Sequence, residues 1–170
     1  YQNNILTINS FIGKIIEGDV DLNGKIEFDE KQTFNIKGNF NNISLNTLLQ
    51  KSQMAKWDRV KIKLSSTNLS LSGIINDNNP LSVLKGTIPI TGLFYLTTTE
   101  EEKFGATFLS LLVEKIPNIS SISKAVNFIV VNYSNIPTSL NGVLQIKDGL
   151  ILSDEILIQN NSGKSTFNGF

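Results

Sequence analysis

The residues best placed to do chemistry lie between positions 19 and 30. Asp19, Asp21 and Asn23 offer side-chain oxygens at alternate positions, Gly24 follows, and Glu30 closes a twelve-residue stretch. That spacing matches a calcium loop, in which oxygen donors at positions one, three and five, a glycine at six and a carboxylate at twelve wrap one hard cation. Such a loop needs a helix on each side. Gly13 interrupts the segment from Ile12 to Ile16, and beyond the loop Phe34, Ile36, Gly38 and Phe40 alternate as a strand. Val20, Leu22, Ile26 and Phe28 keep the same two-residue period inside the loop. The pattern also occurs once, whereas helix-loop-helix calcium sites come in pairs. The residues favour a solvated strand face or hairpin, and a calcium module is the third-ranked reading.

Two other clusters carry less. Gly163-Lys164-Ser165-Thr166 has the ending of a phosphate-binding loop, but the first glycine of that template would fall on Ile158, so a turn is expected. Glu100, Glu101 and Glu102 are consecutive, so they do not face one another as an acid/base pair. Their place is the positive end of a helix.

Absences narrow the chemistry further. The chain has no His and no Cys, which removes a Ser-His-Asp triad, a cysteine nucleophile, a His/Cys zinc site and disulfides. Nothing assembles a nucleophile, a base and oxyanion donors, so no enzyme, no metal and no cofactor is expected. Fifteen basic residues balance fifteen acidic ones, which leaves no electrostatic basis for nucleic-acid binding. With 170 residues and 40% hydrophobic content, the chain can build a core and is not disordered.

The positioning elements follow from periodicity. Alternation runs through Val20–Phe28, Phe34–Phe40, Val60–Leu64, Leu69–Ile75, Gly86–Leu96, Leu140–Ile146 and Leu150–Ile158, each stretch reading as a strand with one apolar face. Turn-formers separate them, including Lys147-Asp148-Gly149, so antiparallel neighbours are expected. Pro89 cannot donate to a ladder, which predicts an edge strand or a bulge there.

Two segments have helical spacing. One is short, near 45–57. The other spans 99–133, where Thr99 and Glu102 form a capping box and Phe104, Phe108, Leu111 and Leu112 make a stripe. Pro117 ends that first helix. Ile119, Ile122, Val126, Ile129, Val130 and Tyr133 stripe a second. The layout is therefore strands over 1–98, a helical pair over 99–133 and a strand hairpin over 134–170. The chain begins at Tyr1 and ends at Phe170 in mid-pattern, which reads as an excerpt of a longer protein whose membrane anchor lies outside it.

The order of elements resembles the C-terminal region of the AsmA-like family of Gram-negative envelope proteins. The likeness is carried by Ile15-Ile16-Glu17-Gly18-Asp19-Val20, by Phe34 to Leu49, by Asn68-Leu69-Ser70-Leu71-Ser72-Gly73 and by Leu84 to Gly92. After the helices it continues in Leu140 to Leu152 and closes in Gly163 to Phe170. These are glycines and alternating aliphatics, specific in their order rather than singly, and Pro89 departs from the pattern.

The resemblance implies a mainly β fold, an elongated antiparallel sheet curled into a trough, with two amphipathic helices near 99–133. It also implies a non-catalytic conduit for phospholipid between inner and outer membranes, on the periplasmic face of the inner membrane. The lipid-contacting residues expected on the inner face are Ile88, Ile90, Phe94, Leu144, Ile146, Leu150 and Leu152. The alternative is a structural or adhesive β-repeat protein whose apolar face is closed as a core.

Overall fold

The computed structural model describes residues 4–47, 60–75, 82–105 and 119–169. Among the described residues, eight strands form one antiparallel sheet in which each strand pairs with the next in sequence. They are β1 (Ile5–Ile15), β2 (Gly18–Glu27), β3 (Thr33–Ser44), β4 (Val60–Ile74), β5 (Lys85–Leu96), β6 (Thr138–Lys147), β7 (Leu150–Asn160) and β8 (Gly163–Gly169). The helix α1 (Ile119–Tyr133) lies between β5 and β6. The sheet is curled and not closed, so the mainly β, trough-like fold expected from the sequence is present.

The helical expectations fare as far as they can be followed. Residues 45–47 are helical, while 48–59 lie outside the described residues. Residues 100–105 are helical, and the stripe from Phe108 to Lys115, with Pro117, lies outside them. The capping box forms: the Thr99 N–H donates to Glu102 Oε2 at 2.9 Å, and the Glu102 N–H donates to Thr99 Oγ1 at 3.3 Å.

Register shows how one apolar face is kept across the sheet. Ile26 lies opposite Phe34 and Leu6, Ile36 opposite Leu71, Ile88 opposite Leu144 and Leu140 opposite Ile158. The period of two breaks where a strand carries one extra residue, and there the apolar set moves to the other parity. In β4 the break falls between Ser66 and Leu69, which joins the two stretches read from the sequence as separate strands into one of 15 residues. Asn68 takes the left-handed conformation there, φ 61°.

Pro89 sits in an interior strand, opposite Val143 of β6, so the edge-strand option is corrected. On its other side the β4–β5 ladder is interrupted between Ser65↔Thr91 and Ser70↔Thr87. The extra residue there belongs to β4 and not to the strand that carries Pro89, and a residue with no N–H costs least where the ladder is already broken.

Glycines on the apolar face show which way the sheet curls. A Cβ on Gly24 would stand 2.1 Å from the Asn35 carbonyl oxygen, one on Gly86 2.3 Å from that of Ser70, and one on Gly92 2.5 Å from that of Lys63. In each case the neighbouring strand's backbone lies in the direction a side chain would take. The sheet therefore bends toward its apolar side, and the apolar face is concave.

Candidate functional site: an apolar trough

The concave face is lined from β1 to β8 by aliphatic and aromatic residues. Val20, Leu69, Ile90 and Ile158 are buried, and Leu22, Ile36, Leu71, Ile88 and Leu144 are half-buried. The convex face presents the intervening residues, including Lys25, Lys37, Lys63 and Lys147, all exposed. A single sheet with this division offers a greasy furrow inside and a wettable outside. Among the described residues no second sheet closes it. A cleft of about 570 Å³ is lined mostly by outward residues, Lys25, Glu27, Asn35, Ser72 and Lys85 among them, together with Phe34 and Gly73 of the apolar face.

Of the residues expected on the inner face, Ile88, Ile90, Phe94, Leu144 and Ile146 share it. Ile88 pairs with Leu144, and Gly86 with Ile146. Leu150 and Leu152 do not. They lie opposite Lys147 and Gln145, which face outward, while Ile151 and Ser153 lie opposite Ile146 and Leu144. One extra residue in β7 between Ser153 and Ile156 makes the switch. Strict alternation through Leu150, Leu152, Ile156 and Ile158 would have placed position 154, an Asp, on the apolar face, where an unpaired carboxylate costs several kcal/mol. The run Leu150-Ile151-Leu152 is apolar at every position, so nothing in it marked which parity faced inward.

The inner face is not wholly apolar. Ser66 Oγ and Ser153 Oγ are buried and have no hydrogen-bond partner. Both stand at bulges, where a small side chain fits beside a locally distorted ladder.

One part of the trough is covered. The Tyr133 ring lies 6.4 Å from Phe94 and 5.9 Å from Phe128, and Phe128 lies 6.3 Å from Phe167. Phe94 and Phe167 belong to the concave face, so the C-terminal part of α1 rests on the β5–β8 half. Its end is anchored by Asn135, whose N–H donates to the Leu96 carbonyl at 2.7 Å and whose side chain bonds both the N–H and the carbonyl of Thr98. Asn160 Nδ2 donates to the Asn132 carbonyl at 3.3 Å, satisfying a helix-end acceptor. The Tyr133 hydroxyl bonds the Ser165 hydroxyl on β8. Sequence reading missed these asparagines because the chain is rich in Asn throughout.

The calcium-loop residues are dispersed. Asp19, Asp21 and Asn23 lie on the convex side of β2, opposite Asn41, Asn39 and Lys37. Two residues of strand advance about 6.6 Å, so Asp19 and Asn23 are roughly 13 Å apart along the chain and do not converge on an ion. Asp29 Oδ1 instead accepts from the N–H groups of Lys31 and Gln32, which shapes the β2–β3 turn. Gly163-Lys164-Ser165-Thr166 is the start of β8 rather than a turn; the turn is at 161–162.

No protein-family model, curated protein or solved structure matches this chain. No helix among the described residues is long and apolar enough to cross a membrane, a statement that does not bear on strands.

Proposed function

We propose that the chain is part of a lipid conduit: a non-catalytic trough that shields phospholipid acyl chains while their head groups stay in water. Its setting would be the envelope of a Gram-negative bacterium, with anchoring supplied outside this segment, as the AsmA-like resemblance implies. The observation that carries the reading is the concave apolar face, which runs across the eight described strands and, among the described residues, is covered by α1 over the β5–β8 half.

Burying a methylene contributes about 0.8 kcal/mol, so a sixteen-carbon tail gains roughly 12 kcal/mol before ordering costs. A lining of similar aliphatic side chains from strand to strand offers nearly equal energy at successive positions. A tail can slide along such a surface, and no reacting group is needed.

The test is lipid occupancy. Protein expressed with export to the periplasm is purified, and bound phospholipid is measured by mass spectrometry beside circular dichroism. Ile146→Glu puts a carboxylate on the concave face near its rim and is expected to leave a folded, lipid-free protein. Lys147→Glu, on the convex face, is expected to keep both fold and lipid. A folded wild type without lipid would overturn the conduit and favour the structural β-repeat reading.

A further inference from the structure

We infer that the cleft where β2 and β4 end and β3 and β5 begin is a head-group site, and that the head group it takes is zwitterionic: a phosphate ester carrying a primary ammonium, as in an aminophospholipid. The inference rests on the conduit reading above and names the lipid class that the conduit admits.

The site is built by register. Lys25 of β2 lies opposite Asn35 of β3, Asn35 opposite Ser72 of β4, and Ser72 opposite Lys85 of β5. One row across four strands thus carries a cation at each end and two small polar side chains between them. Neighbouring strands are about 4.8 Å apart, so the lysine backbones stand roughly 14 Å apart, and their long stems let both ammonium groups reach over Asn35 and Ser72. Glu27, at the next outward position of β2, and Asp148, in the β6–β7 turn, add carboxylates. Among the described residues the charged lining of the cleft is therefore two cations and two anions.

That balance decides the ligand class. Lys25 Nζ lies 2.5 Å from Glu27 Oε1, and both side chains are partly open to water, 54% and 34%. An exposed pair of this kind holds its partners weakly. A zwitterion exchanges it for two pairs, phosphate on lysine and ammonium on carboxylate, with no net charge added. An anionic head group meets the same lysines but sets its phosphate against Glu27 and Asp148 with nothing to offset them. Such a like-charge clash is how a site rejects the wrong ligand. The Asn35 amide and the Ser72 hydroxyl add donors for phosphate oxygens.

The cleft also meets the apolar face. Phe34 and Gly73 line it and lie opposite each other on the concave side. A Cβ on Gly73 would stand 2.9 Å from the Phe34 ring, so the ring lies across the glycine where a side chain would go. Ile74 and Val83 extend the apolar margin. A head group in the cleft has beside it a surface on which its tails enter the furrow, and a soluble zwitterion would have no use for that margin.

Short-chain lipids below their micellar concentration test the site by isothermal titration calorimetry. Dihexanoylphosphatidylethanolamine is expected to bind at least about fivefold tighter than dihexanoylphosphatidylglycerol, and at least about tenfold tighter than free phosphoethanolamine, which lacks tails. Glu27→Gln with Asp148→Asn removes both carboxylates, and Asn suits the left-handed φ of 53° at position 148. In that double variant the preference is expected to reverse toward the glycerol head group. Lys85→Gln should weaken both lipids at least about threefold, and Lys37→Gln, outside the cleft, neither.

Equal or reversed affinities for the two lipids in the wild type, unmoved in the double variant, overturn the head-group site and leave the conduit intact. Free phosphoethanolamine bound as tightly as the lipid detaches the site from the trough and overturns the proposal too. A wild type that binds neither lipid overturns the conduit, and the site with it. Circular dichroism checks each fold; should the double variant fail to fold, Lys85→Gln against Lys37→Gln decides, equal affinities overturning the site.

Discussion

Asn39 Oδ1 accepts a hydrogen bond of 2.9 Å from the backbone N–H of Asn68, across the β3–β4 boundary. Beside it, the Asn42 N–H donates to Ser65 Oγ at 3.0 Å, and that hydroxyl donates to Asn41 Oδ1 at 2.8 Å. Asn42 and Asn68 both have positive φ, 55° and 61°. Polar side chains on the convex side thus tie two adjacent bulges, and the bulges let the apolar stripe change parity in both strands without leaving the trough.

The bulge bond gives a first prediction. Asn39→Ala is expected to destabilise by about 1 kcal/mol, a modest cost because water reaches the freed N–H. Asn68→Gly should be neutral within about 0.5 kcal/mol, whereas Asn68→Val should lose about 1–2 kcal/mol through its branched Cβ in the left-handed region. Urea midpoints at constant slope check all three. Equal midpoints for the Gly and Val variants would show that position 68 does not hold the bulge.

The β1–β2 turn stores strain. Ile15 pairs with Gly18, and the two residues between them, Ile16 and Glu17, have φ of 51° and 67°. That is the twist a two-residue hairpin needs, but a branched residue is the wrong occupant. Ile16→Asn is expected to stabilise by about 1 kcal/mol, relief of strain outweighing the loss of a half-buried side chain. A lower melting temperature would mean that packing at Ile16 is worth more than the strain.

Curl itself is testable through Gly24 and Gly38, whose added Cβ atoms would each stand 2.1 Å from a carbonyl oxygen of the facing strand. Gly24→Ala and Gly38→Ala should each cost about 2–3 kcal/mol, since backbone must move apart. Gly105, helical with open space where a Cβ would go, is the control: Gly105→Ala should stabilise by about 0.5–1 kcal/mol. Thermal melts of the three variants separate crowding in the trough from any general effect of replacing glycine.

Acid should loosen the helix that begins at residue 100. Hydrogen bonding to its own backbone N–H, and then to Thr99, holds the Glu101 carboxyl below its ordinary value of 4.5. A depressed folded-state value means that the contribution is complete above the ordinary value and is lost as pH falls through the depressed one. Carboxyl chemical shifts should show Glu101 titrating below an unstructured Glu, and Thr99→Ala should move it part of the way back. A titration unchanged by Thr99→Ala would remove the side-chain part of the effect.

The sequence disclosed what repeats and concealed what interrupts. Alternation located β2 to β7, with β4 read as two pieces, while β1 had no stretch assigned and the start of β8 was read as a turn; Asp148-Gly149 located the β6–β7 turn, where both residues have positive φ, 53° and 78°. The helix start at Thr99 was legible because a capping box is local in sequence. The bulges were not, because an extra residue leaves no signature beyond a parity change. At Ser65 to Leu69 that change looked like a gap between strands. In Leu150-Ile151-Leu152 it could not be seen at all. Asn135 and Asn160 were hidden for a different reason: what matters about them is their partners at the end of α1, which lie far away in sequence.

The β7 bulge puts Leu150 and Ile151 on faces opposite to those that strict alternation assigns. Ile151 lies opposite Ile146 on the concave side and is 63% exposed; Leu150 lies opposite Lys147 on the convex side and is 60% exposed. Their accessibility is nearly the same, so neither substitution by Glu buries a charge deeply, and both proteins should fold. They differ in what an acyl chain meets. Ile151→Glu places a hydrated carboxylate in the furrow, where a passing tail would have to strip it of water. Leu150→Glu places the same group beside Lys147, in water. Bound phospholipid is therefore expected to fall several-fold in Ile151→Glu and to stay at the wild-type level in Leu150→Glu. Strict alternation through Leu150 and Leu152 demands the reverse. Lipid lost from the Leu150 variant and kept by the Ile151 variant would mean that β7 runs without its bulge, and would turn this end of the trough inside out.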